Sequence, residues 1–201
     1  MGPPLRVNGT YYISTSGHCG IGTWKNGNNT LTVGHTYTTS YNSTPSKSNA
    51  GKYGDFQLLA KTNTNTYYAL SVFSGSASST STLSYTSANW QSRAQGTELC
   101  FSGQRSGQRC RQRITLSDST FRFTDGSSLF PATEVIDDQN RDGVPDCNGI
   151  QHTDSGGPVY YGDGYGGVIA YATVTSTSLG CWDHYSQLRG IRLWNPTAIL
   201  G

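Results

Sequence analysis

At 201 residues the chain has room for one large domain or two small ones, and it is long enough to bury a core without a metal. Only 13% of it is charged, against roughly 25% in an ordinary globular domain, and the net charge is +2. Its one basic run, Arg105 to Arg113, is interrupted by Gln, Ser and Gly, and no stretch of about eighteen apolar residues occurs, so neither a nucleic-acid face nor a membrane span is expected.

Helical periodicity is nearly absent, and short β-branched and aromatic runs recur between Gly, Asn and Ser turns. In chain order the runs 10–15, 30–33, 56–61, 67–73, 98–102, 112–116, 158–161 and 167–174 read as strands. Turn signals separate them, such as Lys25-Asn26-Gly27-Asn28 and Tyr161-Gly162-Asp163-Gly164. The Ser/Thr-rich stretch 74–87, together with 92–96, is the expected link between two halves, 1–88 and 89–201. A short helix is expected only at the tail, from Asn195-Pro196 to Leu200. The reading is an all-β protein, a sandwich or barrel.

Five cysteines in a neutral, hydroxyl-rich chain favour an oxidising compartment, and Met1-Gly2-Pro3-Pro4 reads as the start of a mature chain. Secretion is therefore expected. The sequons at Asn8, Asn28 and Asn42 add little, because their use depends on the host cell.

Chemistry concentrates in His152-Thr153-Asp154-Ser155-Gly156-Gly157-Pro158-Val159. A Ser between an acid and two glycines, followed by an apolar strand, describes an exposed nucleophile on a tight turn. The glycines admit a substrate backbone, and the turn can aim N–H groups at a developing oxyanion. Such a serine needs a base. Of His18, His35, His152 and His184, the sequence favours His35, which closes the strand-like run Leu31-Thr32-Val33-Gly34-His35. His152 is too near Ser155 to reach back and suits a pocket wall. Asp55, directly ahead of Phe56-Gln57-Leu58-Leu59, is the expected orienting carboxylate, whereas Asp118, Asp125 and Asp163 sit in turns. The order His, Asp, Ser belongs to the chymotrypsin architecture among the known triads.

Here the chain resembles the trypsin-like (chymotrypsin-fold) serine peptidases, especially the short secreted bacterial branch near streptogrisins and α-lytic protease. Residues 31–35 are similar to that family's Leu-Thr-Ala-Gly-His, 55–59 to its Asp-Ile-Ala-Leu-Leu, and 153–159 to its Gly-Asp-Ser-Gly-Gly-Pro-Val. The resemblance implies two six-stranded antiparallel β-barrels, the first carrying His35 and Asp55 and the second carrying Ser155, with the site in the cleft between them. It implies a secreted, monomeric serine endopeptidase acting on proteins or peptides through an acyl-enzyme on Ser155. No catalytic cofactor is required.

The same resemblance implies disulfides Cys100–Cys110 and Cys147–Cys181, an oxyanion hole from the N–H groups of Thr153 and Ser155, and pocket walls from Gly149, Ile150, Gln151, His152 and from Ala170, Tyr171, Ala172. Asp183 and His184, just after Cys181, are read either as surface loop residues or as reaching the pocket base, where an Asp would favour Lys or Arg substrates and a His acidic ones. Four departures point to an alternative, a weakened homologue that binds without cutting. Thr153 stands for a Gly. Ala170 stands for a Ser that bonds the triad carboxylate. Phe101 stands for an Arg that pairs with the Asp before the serine, a task left to Arg105 or Arg111. Thr36 stands for a Cys that follows the catalytic His, which leaves Cys19 as a buried free thiol. Separately, Asp138, Asn140, Asp142, Val144 and Asp146 follow the spacing of a calcium loop, set against an acidic surface turn.

Overall fold

The computed structural model describes residues 1–25, 29–41, 53–62, 67–122, 128–177 and 181–201. Asn28, Asn42 and Asp125 lie outside them. The elements are β1 (Pro4–Val7), β2 (Thr10–Thr15), a 3-10 turn (Gly17–Cys19), β3 (Thr23–Lys25), β4 (Thr32–Thr39), β5 (Gln57–Ala60), β6 (Ser71–Phe73) and β7 (Thr82–Ala88). There follow β8 (Glu98–Gly103), β9 (Gly107–Arg122), β10 (Ser128–Asp137), β11 (Pro158–Gly162), β12 (Val168–Thr177), β13 (Trp182–Gln187), α1 (Leu188–Trp194) and β14 (Ile199–Leu200).

Two strand systems result. The first is a six-stranded sheet in the order β14-β1-β2-β5-β4-β3. In the second, β11-β8-β9-β10-β13-β12 closes on itself through a β11–β12 pairing, and β7 and β6 extend it from β12. The architecture is the all-β double barrel expected.

Its details depart from the sequence reading in three places. Residues 82–87 of the expected linker belong to β7, which pairs in parallel with β12 and buries Tyr85. The helix lies earlier than expected, at 188–194, because Leu188 and Ile191 are both fully buried there. Beyond it Pro196 disfavours helix at Asn195, and the chain returns as β14 beside β1. Gly190 is required in that helix, since a Cβ there would meet the Tyr53 carbonyl oxygen at 2.1 Å.

Two apolar cores sit under this scaffold. One gathers Leu5, Phe56, Leu58, Tyr160, Ala170, Leu188 and Ile191. The other lies inside the closed ring, around Phe101, Ile114, Val135, Val159, Tyr171 and Tyr185. Each fully buried large side chain is worth roughly 1.5–3 kcal/mol of transfer free energy.

Candidate active site

Asp55 lies two residues ahead of β5 and is fully buried. Its Oδ2 stands 2.5 Å from His18 Nδ1, and its Oδ1 accepts the His18 backbone N–H at 2.8 Å. On the far edge of the same ring, Nε2 lies 3.1 Å from Ser155 Oγ. The histidine between acid and serine is therefore His18, not His35. His35 sits in β4, exposed, with its backbone opposite Thr23 and Ala60. It lines an open groove of about 720 Å³ with Ile21, Thr23 and Tyr37.

The dipeptide Gly-His occurs twice, at 17–18 and 34–35. Local geometry favours the first. Gly17 passes so close to Tyr41 that a Cβ would sit 2.4 Å from its side chain, and the tight 3-10 turn that follows swings His18 out of β2. Cys19 directly follows His18, which is the signal that could have found it. That cysteine is free and, contrary to expectation, exposed, with Sγ 3.8 Å from His18 Nε2.

Burial works against a charge on His18, but the Asp55 hydrogen bond, the Cys19 thiol and the negative field of Asp55 outweigh it. The net effect raises the imidazole to about 10.

The serine turn is braced from beneath by Asp154, which is buried. Its carboxylate accepts the N–H groups of Arg105, Ser106 and Gln151 and the Ser106 hydroxyl, at 2.5–3.2 Å. Arg105 thus serves Asp154 through its backbone, and Arg111 takes no part. Gly156 (φ +80°) brings this turn against the histidine loop, where a Cβ would lie 2.0 Å from Thr15 Oγ1. Thr153 holds φ +87°, a conformation that β-branched residues rarely adopt. Among the described residues, the N–H groups of Thr153 and Ser155 donate to nothing within the chain.

The strand beside the serine turn is not 170–172. Gly156 N–H donates to the Val174 carbonyl, Val174 N–H donates to Gly157, and the Ser155 hydroxyl reaches the Thr175 carbonyl at 3.3 Å. Ala170, Tyr171 and Ala172 are fully buried farther down β12, where 170 and 172 pair with Tyr160 and Val159. This register is set by Pro158 opposite Thr173. Accordingly Thr175, not residue 170, supplies the hydroxyl on this strand that connects to Asp55, through the Asp55 backbone and not its carboxylate. It shares a 2.7 Å hydrogen bond with Ser186 Oγ, which accepts the Asp55 N–H.

Gly149, Ile150, Gln151 and His152 do lead into the serine turn. Asp183 faces them: its Oδ2 accepts the Ile150 N–H at 2.9 Å, and a Cβ on Gly149 would collide with it at 2.0 Å. Burial, followed by the charges of Asp137 and Asp154, raises Asp183 to about 6. The next residue on the strand points the other way. His184 stacks on Phe121 and lies 3.4 Å from Glu134. The disulfides Cys100–Cys110 and Cys147–Cys181 are both formed, the second tying this loop to the start of β13.

In the candidate calcium loop the carboxylates turn inward. Asp138 accepts the Gly143 N–H, Asp142 the Val144 N–H and Asp146 the Gln139 N–H. Among the described residues, no group of three or more His, Cys, Asp or Glu gathers as metal ligands.

No protein-family model matches the chain, and no curated protein matches it in sequence. Solved structures do match. A glutamic-acid-specific serine protease that uses a histidine triad in substrate binding aligns at TM-score 0.72 and 16% identity, over 99% of this chain and 91% of that one. Protease A of Thermobifida fusca aligns at 0.66 and 17%, over 100% and 90%. The chymotrypsin of Cellulomonas bogoriensis aligns at 0.64 and 17%, over 100% and 96%. The chain has the double-barrel fold of the bacterial chymotrypsin-like serine proteases.

Proposed function

We propose that the chain is a secreted serine endopeptidase in which Ser155 is the nucleophile, His18 the general base and acid, and Asp55 the group that orients His18. The carrying observation is the unbroken hydrogen-bonded chain Asp55–His18–Ser155. With His18 neutral, Nε2 takes the hydroxyl proton as Oγ attacks the peptide carbonyl. The oxyanion is received by the free N–H groups of Thr153 and Ser155. His18 then returns the proton to the departing amine, and water attacks the acyl-enzyme by the same relay. When His18 is doubly protonated, its Nε2–H points at Oγ, and the hydroxyl turns to the Thr175 carbonyl instead.

Two disulfides and a hydroxyl-rich, weakly charged chain support secretion. The contact of Asp183 with the 149–150 backbone supports an acidic pocket base and substrates cut after Lys or Arg. A glutamate side chain, as cut by the specific protease of similar fold, would meet a like charge. That preference weakens below about pH 6, as Asp183 becomes neutral. Matched peptide amides ending in Arg, Phe and Glu, compared at pH 8 and 5.5, test it; a Glu preference at pH 8 rejects it.

The central test is intact mass after fluorophosphonate treatment. One adduct on the wild type, with none on Ser155→Ala or His18→Ala, is expected. The second reading, a homologue that binds without cutting, draws on the left-handed backbone of β-branched Thr153, a conformation costing about 1–3 kcal/mol. A folded wild type that takes no adduct selects that reading.

A further inference from the structure

The loop that carries His18 is held by a side chain with no part in proton transfer. Gln57, the first residue of β5, is fully buried. Its Nε2 donates to the carbonyl oxygens of Ser16 at 2.9 Å and Gly20 at 3.0 Å. These two carbonyls flank the turn Gly17–Cys19, so one carboxamide spans the base of the loop from which the imidazole projects. Its Oε1 accepts the Thr36 hydroxyl at 2.7 Å, and Thr36 Oγ1 in turn accepts the Gly22 N–H at 3.0 Å. The orientation of the amide is determined by its partners: two carbonyls require the NH2 group, and the hydroxyl donor requires the oxygen.

Two further observations bear on what this clamp does. Gln57 is a fully buried polar side chain beside the buried apolar Leu58 and Leu59 of the same strand. Cys19, which ends the same turn, forms no disulfide. The loop therefore has polar side-chain anchors where a covalent one is lacking. They are Asp55 on His18 itself, Gln57 beneath the loop, and Ser16 Oγ, which donates to the Val174 carbonyl across the cleft at 2.6 Å.

We infer that Gln57, seated by Thr36, is the positioning residue that sets the imidazole of His18 at hydrogen-bond distance from both Asp55 and Ser155. This deepens the peptidase reading and rests on it for its kinetic consequence, but the geometric claim stands apart from turnover. A displacement of the ring by about 1 Å is enough to cost on the order of a hundredfold in rate.

The test uses Gln57→Met, which keeps length and volume but removes all three amide hydrogen bonds, and Thr36→Val, which removes only the hydroxyl that seats it. Two quantities are read in each variant and in the wild type: the fluorophosphonate labelling rate with kcat and KM, and the pH titration of the His18 imidazole by NMR. For Gln57→Met, labelling and kcat are expected to fall roughly tenfold to a hundredfold with KM nearly unchanged. The His18 titration is expected to drop toward the ordinary histidine value of about 6.5 as the Asp55 contact loosens. Thr36→Val should show the same pattern at smaller amplitude. A lower melting temperature with wild-type kcat and wild-type His18 titration overturns the inference. If Gln57→Met does not fold, an unchanged Thr36→Val overturns it equally. If the wild type itself takes no label, the peptidase reading fails, and the His18 titrations still decide whether Gln57 positions the ring.

Discussion

The two sides of the cleft are built by different means. The serine side is anchored by a buried carboxylate, Asp154, that gathers three N–H groups and a hydroxyl, and by a disulfide between 147 and 181. The histidine side has no covalent brace. Asp55 and Gln57 hold it by hydrogen bonds from one end of β5, two residues apart. A nucleophile whose turn must also hold oxyanion donors needs a fixed backbone. A base that moves protons needs only its ring set, and polar contacts can do that.

The contrast is sharpest at the reacting groups. Ser155→Ala and His18→Ala should each lower turnover by on the order of a thousandfold or more, whereas His35→Ala should leave it unchanged. A large loss in His35→Ala would place the base in β4 after all. Asp154→Asn comes next. Its amide NH2 opposes the Gln151 N–H or the backbone donors of 105–106, leaving a buried donor unpaired at a cost of about 1–3 kcal/mol. Thermal unfolding and labelling rate should fall together; a stable variant with normal labelling would remove Asp154 as the brace.

The pH profile separates the sides more finely. Because the folded environment raises His18, the acid limb of kcat/KM should lie above the ordinary value of about 6.5, with activity gained as pH rises. Stability runs the opposite way. The Asp55–His18 pair contributes fully below the unfolded value and is lost as pH climbs through the folded one. Rate and melting curves across pH 5–10 check both signs, and an acid limb at or below pH 6 would contradict the first. The smallest effect concerns residues 138–146. Their carboxylates already satisfy the loop's own N–H groups, so a chelator should leave the melting temperature unchanged. A drop reversed by calcium would restore the metal reading.

How much of this is legible in sequence follows from how local each signal is. The serine turn and Asp55 are readable because a nucleophile between an acid and two glycines, and an acid opening an apolar run, are chemically distinct. The disulfide pairs follow from the resemblance. His18 is harder to read by the same route, since Gly-His occurs twice: the Cys after His18 is its one local signal, and the register of β2 against β5 is what brings that copy to Asp55. Residues 170–172 read as a pocket wall because the motif's direction is visible, but its register is not. Pairing of Pro158 with Thr173 puts Val174 and Thr175 beside the serine turn instead. β10 escapes notice because Pro131 interrupts an otherwise strand-like run. Gln57 is a polar residue in a buried strand, and nothing within ten residues of it announces the carbonyls it serves.

The pairing of β14 with β1 has a consequence for biosynthesis. Leu5 lies opposite Leu200, and Asn8 bonds to Thr197 across a sequence separation of 189 residues. During translation this edge of the first sheet therefore waits, without its β14 partner, while the 189 residues that separate Asn8 from Thr197 are made. An open strand edge of that kind invites pairing with other chains, and contacts so distant in sequence form slowly. Residues far from the cleft thus govern whether a nascent molecule closes on itself or is captured by its neighbours.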